Sequence, residues 1–159
     1  MGLWGRLFTV VVVAGTLAGC AARDIVRDRP PPGYLADVSQ RLAGIDWSRA
    51  EPRNIRLSEF AFDPDSLTFE VGRPYRLTIE NVGSSDHTFV SKGFFRAIAA
   101  AELKGVGSTV ANPYIEAIAV APGEERELLF VPVRPGTYAL KCTQPGHALF
   151  GMEGTITVR

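Results

Sequence analysis

From Ile55 onward, apolar and polar positions alternate with a period of two. Leu67, Phe69 and Val71 alternate with Thr68 and Glu70 before the turn Gly72-Arg73-Pro74. Tyr75, Leu77 and Ile79 then alternate with Arg76, Thr78 and Glu80 as far as Asn81-Val82-Gly83. Ile115 to Val120, Glu127 to Val133, Thr137 to Cys142 and Thr155 to Arg159 continue the series, divided by Pro122-Gly123-Glu124 and Pro135-Gly136. A period of two sends successive side chains to opposite faces of a strand, one face inward. Short strands between Pro/Gly turns predict an all-β antiparallel sandwich or barrel. One stretch departs from the pattern. Phe94 to Lys104 is alanine-rich and closed by Gly105, which predicts one short helical insertion between strands. It has no His, Cys or Met, so its expected role is packing, with Phe94 and Phe95 as core or rim residues.

Upstream the pattern is of another kind. Behind Arg6, Leu7 to Leu17 is an almost unbroken apolar run, too short to cross a bilayer comfortably, and it ends in Leu17-Ala18-Gly19-Cys20. This predicts a signal peptide over 1–19 and export to the bacterial periplasm. The Leu-Ala-Gly-Cys ending resembles the lipobox, which implies lipidation of Cys20 and attachment to a membrane through the acyl chains. Ala21 in place of Asp after that cysteine implies sorting toward the outer membrane. Residues 20–54 read as a lipidated tether, with Pro30-Pro31-Pro32 a stiff spacer lifting the domain from the membrane. Leu35, Val38, Leu42 and Ile45 suit either one or two docked amphipathic turns or loosely ordered chain. The domain proper is expected over 55–159.

Composition narrows the function classes. The 159 residues are 46% hydrophobic, enough for one core, and carry 17 basic against 17 acidic residues. That balance excludes disorder as the main state and gives no basic excess for nucleic acid; a monomer is expected. Loss of Arg6 with the signal peptide leaves 16 basic residues against 17 acidic, a net charge of −1. With Cys20 blocked by lipid, Cys142 is the one remaining thiol, so no intramolecular disulfide can form. A lone thiol outside the cytoplasm oxidises unless it is buried or coordinated, which points to a task for Cys142.

The candidate chemistry lies in four side chains. Cys142, His147 and Met152 fall within the eleven residues Cys-Thr-Gln-Pro-Gly-His-Ala-Leu-Phe-Gly-Met, and His87 follows the strand that ends near Asn81. One thiolate, two imidazoles and one thioether are the ligand set of a trigonal His₂Cys copper site with a weak axial Met. Cys142 closes a strand, Pro145-Gly146 turns the chain so that His147 faces back toward the sulfur, and Gly151 is expected to permit close approach by Met152.

Two stretches of this sequence are similar to the cupredoxins, the type 1 (blue) copper proteins. The first is Phe60-x-Phe62-x-Pro64 … Val71-Gly72 … Leu77-x-Ile79-x-Asn81 … His87-x-Phe89. The second is Tyr138-x-x-x-Cys142-x-x-Pro145-Gly146-His147-x-x-x-x-Met152. The Cys-x4-His-x4-Met spacing resembles the rusticyanin and auracyanin branch. The resemblance covers residues 55–159 and implies a Greek-key β-sandwich holding one copper, with His87, Cys142 and His147 in the plane and Met152 axial. It also implies the Asp86 carbonyl on the opposite axis. Many family members have Asn directly after the first histidine, tying the ligand loops together near the sulfur. This chain has Thr88, a departure that bears on the reduction potential and not on copper binding.

A site with every position filled by protein leaves no place for a substrate. The expected role is therefore single-electron transfer and not an enzyme activity. Pro145, Ala148, Leu149 and Phe150 predict an apolar collar around His147, where a redox protein such as a cytochrome, oxidase or reductase would dock. The alternative class is copper handling, as a buffer, chaperone or tolerance protein. Two histidines are too few for the several copper centres of a multicopper oxidase or nitrite reductase, and one thiol is too few for a binuclear centre.

Overall fold

A computed structural model describes residues 23–159; the segment expected to be a signal peptide, Cys20 and Ala21 lie outside the described residues. In chain order the elements are β1 (Ile25–Arg27), α1 (Val38–Leu42), β2 (Glu51–Ser58), β3 (Ala61–Asp63), β4 (Ser66–Phe69), β5 (Tyr75–Asn81) and β6 (His87–Phe89). They continue with α2 (Lys92–Ala97), β7 (Ile98–Gly105), β8 (Ser108–Ala111), β9 (Tyr114–Val120), β10 (Glu125–Pro132), β11 (Gly136–Lys141) and β12 (Glu153–Val158). One sheet runs β3-β2-β5-β10-β7-β8, and two smaller ones run β1-β9-β6 and β11-β12-β4. The smaller pair is joined where Val90 and Lys141 exchange backbone hydrogen bonds of 3.1 and 3.0 Å. The alternation read from the sequence is realised in β5, where Tyr75, Leu77 and Ile79 are buried among Phe69, Phe89, Ile118, Leu128 and Phe130. Crossing between sheets produces two parallel pairs, β2 with β5 and β4 with β12, within an otherwise antiparallel all-β sandwich.

The predicted helix over Phe94–Lys104 is corrected. The helix α2 ends at Ala97, and Ile98 to Gly105 is strand β7, paired with β10 on one side and β8 on the other. Alanine favours helix over other residues by only tenths of a kcal/mol. Here that preference loses to two ladders of hydrogen bonds and to burial of Ile98, Ala99, Ala100 and Leu103. The small Ala99 side chain leaves room for Leu35 and Val38 to pack on it, and this makes α1 a second short helix. Phe94 and Phe95 are core residues, as expected.

The stretch read as a spacer is also different in the structure: residues 24–50 are laid along the sandwich. β1 pairs with β9, the Asp24 carboxylate accepts from the Ala119 N–H at 2.7 Å, and Tyr34 hydrogen-bonds the Ile115 carbonyl. Arg134 donates to the Gly33 carbonyl at 2.9 Å, which fixes the proline-rich turn. Periodicity could not show this, because a three-residue strand held by side-chain bonds has no period to read.

Several elements end together at one end of the sandwich. β5 stops at Asn81, β6 starts at His87, β9 stops at Val120, and the β11–β12 hairpin opens there into residues 142–152. All four candidate ligands lie at this end.

Candidate metal centre

His87 is the first residue of β6, opposite Val120. The loop before it is pinned by buried Asn81, whose amide donates to the Ser85 and Val120 carbonyls at 2.8 Å each and accepts from the Gly83 N–H at 2.9 Å. Glu59 holds the same loop from outside, its Oε1 accepting from Ser84 N, Ser84 Oγ and Ser85 N at 2.6, 2.9 and 3.1 Å. Those donors, the Ser84 N–H foremost, hold the Glu59 carboxyl down at about 2.

Cys142 directly follows β11 and Met152 directly precedes β12; the Cys142 N–H donates to the Met152 carbonyl at 3.1 Å and closes the base of the hairpin. Within it, His147 N donates to the Gln144 carbonyl at 3.1 Å and Met152 N to the His147 carbonyl at 3.0 Å, so the loop winds back over its own base. The expected close approach at Gly151 is corrected: a Cβ there would meet nothing within 4 Å. What calls for glycine is its φ of +101°, a conformation that side chains disfavour.

The two loops bring three donors to one place. His87 Nδ1 lies 3.2 Å from His147 Nδ1, Cys142 Sγ lies 3.6 Å from His147 Nδ1, and the three donor atoms all fall within 4.8 Å of one another. A first-row ion bonded to imidazole at about 2.0–2.1 Å and to thiolate at about 2.3 Å fits between donors so spaced. Soft thiolate with imidazole is a donor set suited to copper. His87, Cys142 and Met152 are fully buried, and only His147 is partly exposed. Burial chiefly, and the neighbouring His147 next, push the His87 imidazole below its ordinary pKa, which favours the neutral ring that a metal requires.

Thr88 takes up the tying role despite the departure from Asn. Its N–H and Oγ1 lie 3.4 and 3.6 Å from Cys142 Sγ. Its Oγ1 also meets Thr143 Oγ1 at 3.0 Å and accepts from the Thr143 N–H at 2.7 Å. Removing a donor from the sulfur makes the thiolate richer in electrons and favours the oxidised ion. Thr88→Val is expected to lower the reduction potential by roughly 20–60 mV, the equivalent of one hydrogen bond of ~0.5–1.5 kcal/mol. Protein-film voltammetry of the variant checks this; an unchanged or raised potential counts against the bond.

Of the apolar residues expected around His147, Leu149 and Phe150 are 86% and 66% exposed, and the Phe150 N–H donates to the His147 carbonyl at 3.2 Å. Sequence reasoning missed a further member, Phe60. Its ring meets His147 edge-on at 5.4 Å between centroids and Phe150 at 5.1 Å. Phe60 sits at φ 63°, a left-handed conformation that costs a bulky residue of order 1–2 kcal/mol. Such strain persists where surroundings hold it, and here it turns the ring onto the site. The Glu59–Phe60 turn thus reaches both ligand loops; in the sequence Phe60 stands out only as part of the family-like motif Phe60-x-Phe62-x-Pro64.

Fold and site together define a type 1 copper protein of the cupredoxin class. The chain belongs to the copper binding proteins of the plastocyanin/azurin family, which match residues 53–159. A curated relative is the copper-resistant cuproprotein CopI of Rubrivivax gelatinosus, 29% identical over 142 residues, covering 89% of this chain and 80% of that one. Among solved structures, dithionite-reduced auracyanin from the photosynthetic bacterium Roseiflexus castenholzii superposes with a TM-score of 0.50 at 23% identity. It covers 69% of this chain and 98% of its own. A multicopper oxidase from Campylobacter jejuni reaches a TM-score of 0.54 at 18% identity over 72% of this chain but only 31% of its own length. These two structures share the fold.

Proposed function

We propose that this protein carries single electrons between redox partners, with His147 as the port. The observation that supports this reading most is the contrast in exposure: three of the four candidate ligands are sealed, and the fourth reaches the surface inside an apolar frame of Phe60, Leu149 and Phe150. His87, Cys142, His147 and Met152 would hold copper, and the bound ion would supply the Cu(I)/Cu(II) couple. The protein's own part is to hold these donors still, so that little rearrangement accompanies a change of charge, and to keep water from the sulfur. An apolar frame without a charge of its own suits a small, transient interface with a cytochrome, oxidase or reductase.

A second reading, copper tolerance, is favoured by the CopI relative. One experiment separates the two. Voltammetry of the copper-loaded protein with a Cu(I) chelator present should give a reversible one-electron wave with copper retained through repeated cycles. Slow exchange together with loss of copper on reduction would support handling instead.

A further inference from the structure

The second nitrogen of His87 is unaccounted for by the metal centre. Nδ1 faces His147, while Nε2 is buried with no hydrogen-bond partner. Buried ring nitrogens are rarely left so, and imidazoles that bind metals generally donate the remote N–H to a carboxylate, a carbonyl or water. The space beside Nε2 holds an acceptor that could serve it. A Cβ built on Gly83 would stand 2.9 Å from His87 Nε2 and 2.9 Å from each oxygen of the Glu59 carboxylate. The carboxylate and the ring nitrogen therefore converge on one small volume, left empty because residue 83 has no side chain. The three hydrogen bonds from Ser84 and Ser85 all fall on Oε1, which anchors the carboxylate there and directs none of those donors to Oε2.

We propose that Glu59 is the positioning residue for His87, its carboxylate taking the Nε2–H across the gap at Gly83 and so leaving the Nδ1 lone pair for copper. The contact requires the Glu59 side chain to rotate about its Oε1 anchor so that Oε2 reaches the nitrogen. The proton passes by way of solvent from Nδ1 to Nε2, one N–H bond breaking as the other forms, with no change in the charge or oxidation state of the ring. The consequence precedes metal binding, since an apoprotein already holding the Nε2–H tautomer has no proton to expel from Nδ1. Once metal is bound, the carboxylate makes the ring a stronger donor and sets a negative charge behind it, both of which favour Cu(II). The inference rests on the copper site and is indifferent to whether that site serves electron transfer or copper handling.

The test is Glu59→Gln, which keeps the length and one acceptor for Ser84 and Ser85 but removes the charge. Nitrogen-15 NMR of the wild-type apoprotein should show His87 as the Nε2–H tautomer with a slowly exchanging proton, and the variant should show a mixture. Cu(II) affinity in the variant should fall by about 10–100-fold. Cu(I) affinity should fall less, moving the Cu(I)/Cu(II) ratio about tenfold toward the reduced form, ~59 mV in potential. A Glu59 that only caps the loop would lower the melting temperature of the variant and leave tautomer, affinity ratio and potential as in the wild type; that result overturns the proposal. The wild-type spectrum is independent of how the variant folds, and His87 found there as the Nδ1–H tautomer overturns it equally.

Discussion

Cys142→Ser is expected to yield a folded protein without visible colour. The intense absorption of a type 1 site is a charge transfer from thiolate sulfur to Cu(II), and Cys142 is the one thiol among the described residues. A serine hydroxyl is a hard donor in place of a soft one, so the set loses the member that selects copper. Nothing nearby can substitute: the position has no exposure to solvent, and the metal-binding cluster among the described residues has only His87 and His147 besides. Copper should fall from one ion per wild-type chain to a small fraction of that, measured by metal analysis after dialysis. The hydroxyl remains in reach of the Thr88 donors, so the cost to stability should stay near ~1–3 kcal/mol and the strand signal in circular dichroism should persist. A variant that retained the band would mean that the chromophore is elsewhere.

The ease with which this site can be read from sequence has a physical cause. A ligand loop is short, and its spacing is set by one turn: Cys142 directly follows β11, Met152 directly precedes β12, and His147 lies in the winding between them. Any chain that places three donors around one ion from one hairpin must keep them within a few residues, so the pattern survives as text. His87 was legible because it begins a strand directly after a turn signal. What could not be read is what depends on contact at a distance. Glu59 and Phe60 act through space on loops 25 to 87 residues further along the chain, and neither has a residue type that announces the role. The strand β7 was hidden for a related reason. Its alanines are there because α1 packs on Ala99, and a small residue chosen for close approach reads the same as one chosen for helix propensity. The proline-rich stretch behaves likewise: local stiffness is visible in the sequence, but the Arg134 side chain that receives Gly33 from 101 residues away is not.

His147→Ala is expected to slow electron exchange by about 100-fold, comparable to the cost of displacing reacting partners by an ångström or more. The residue is the one ligand with an exposed edge, and its ring fills the gap between the sealed sulfur and the apolar frame, touching Phe60 on the outer side and facing His87 Nδ1 at 3.2 Å on the inner. Its removal would take away both a candidate ligand to copper and the surface contact of the site, so exchange should suffer alike with protein partners and with a small inorganic donor. Leu149→Glu separates the two effects. Leu149 is 86% exposed and has no place in the candidate donor set, and its replacement by Glu would put a charge on the proposed docking face. Partner affinity should fall by about tenfold, ~1.4 kcal/mol, while the spectrum, the potential and the rate with the small donor stay as in the wild type. Stopped-flow rates against both donors check the pair of variants. If Leu149→Glu left the protein partner's rate untouched while His147→Ala abolished it, electrons would still leave through the imidazole, but the partner would approach it from the Phe60 side, and Phe60→Glu would then be the variant that weakens docking.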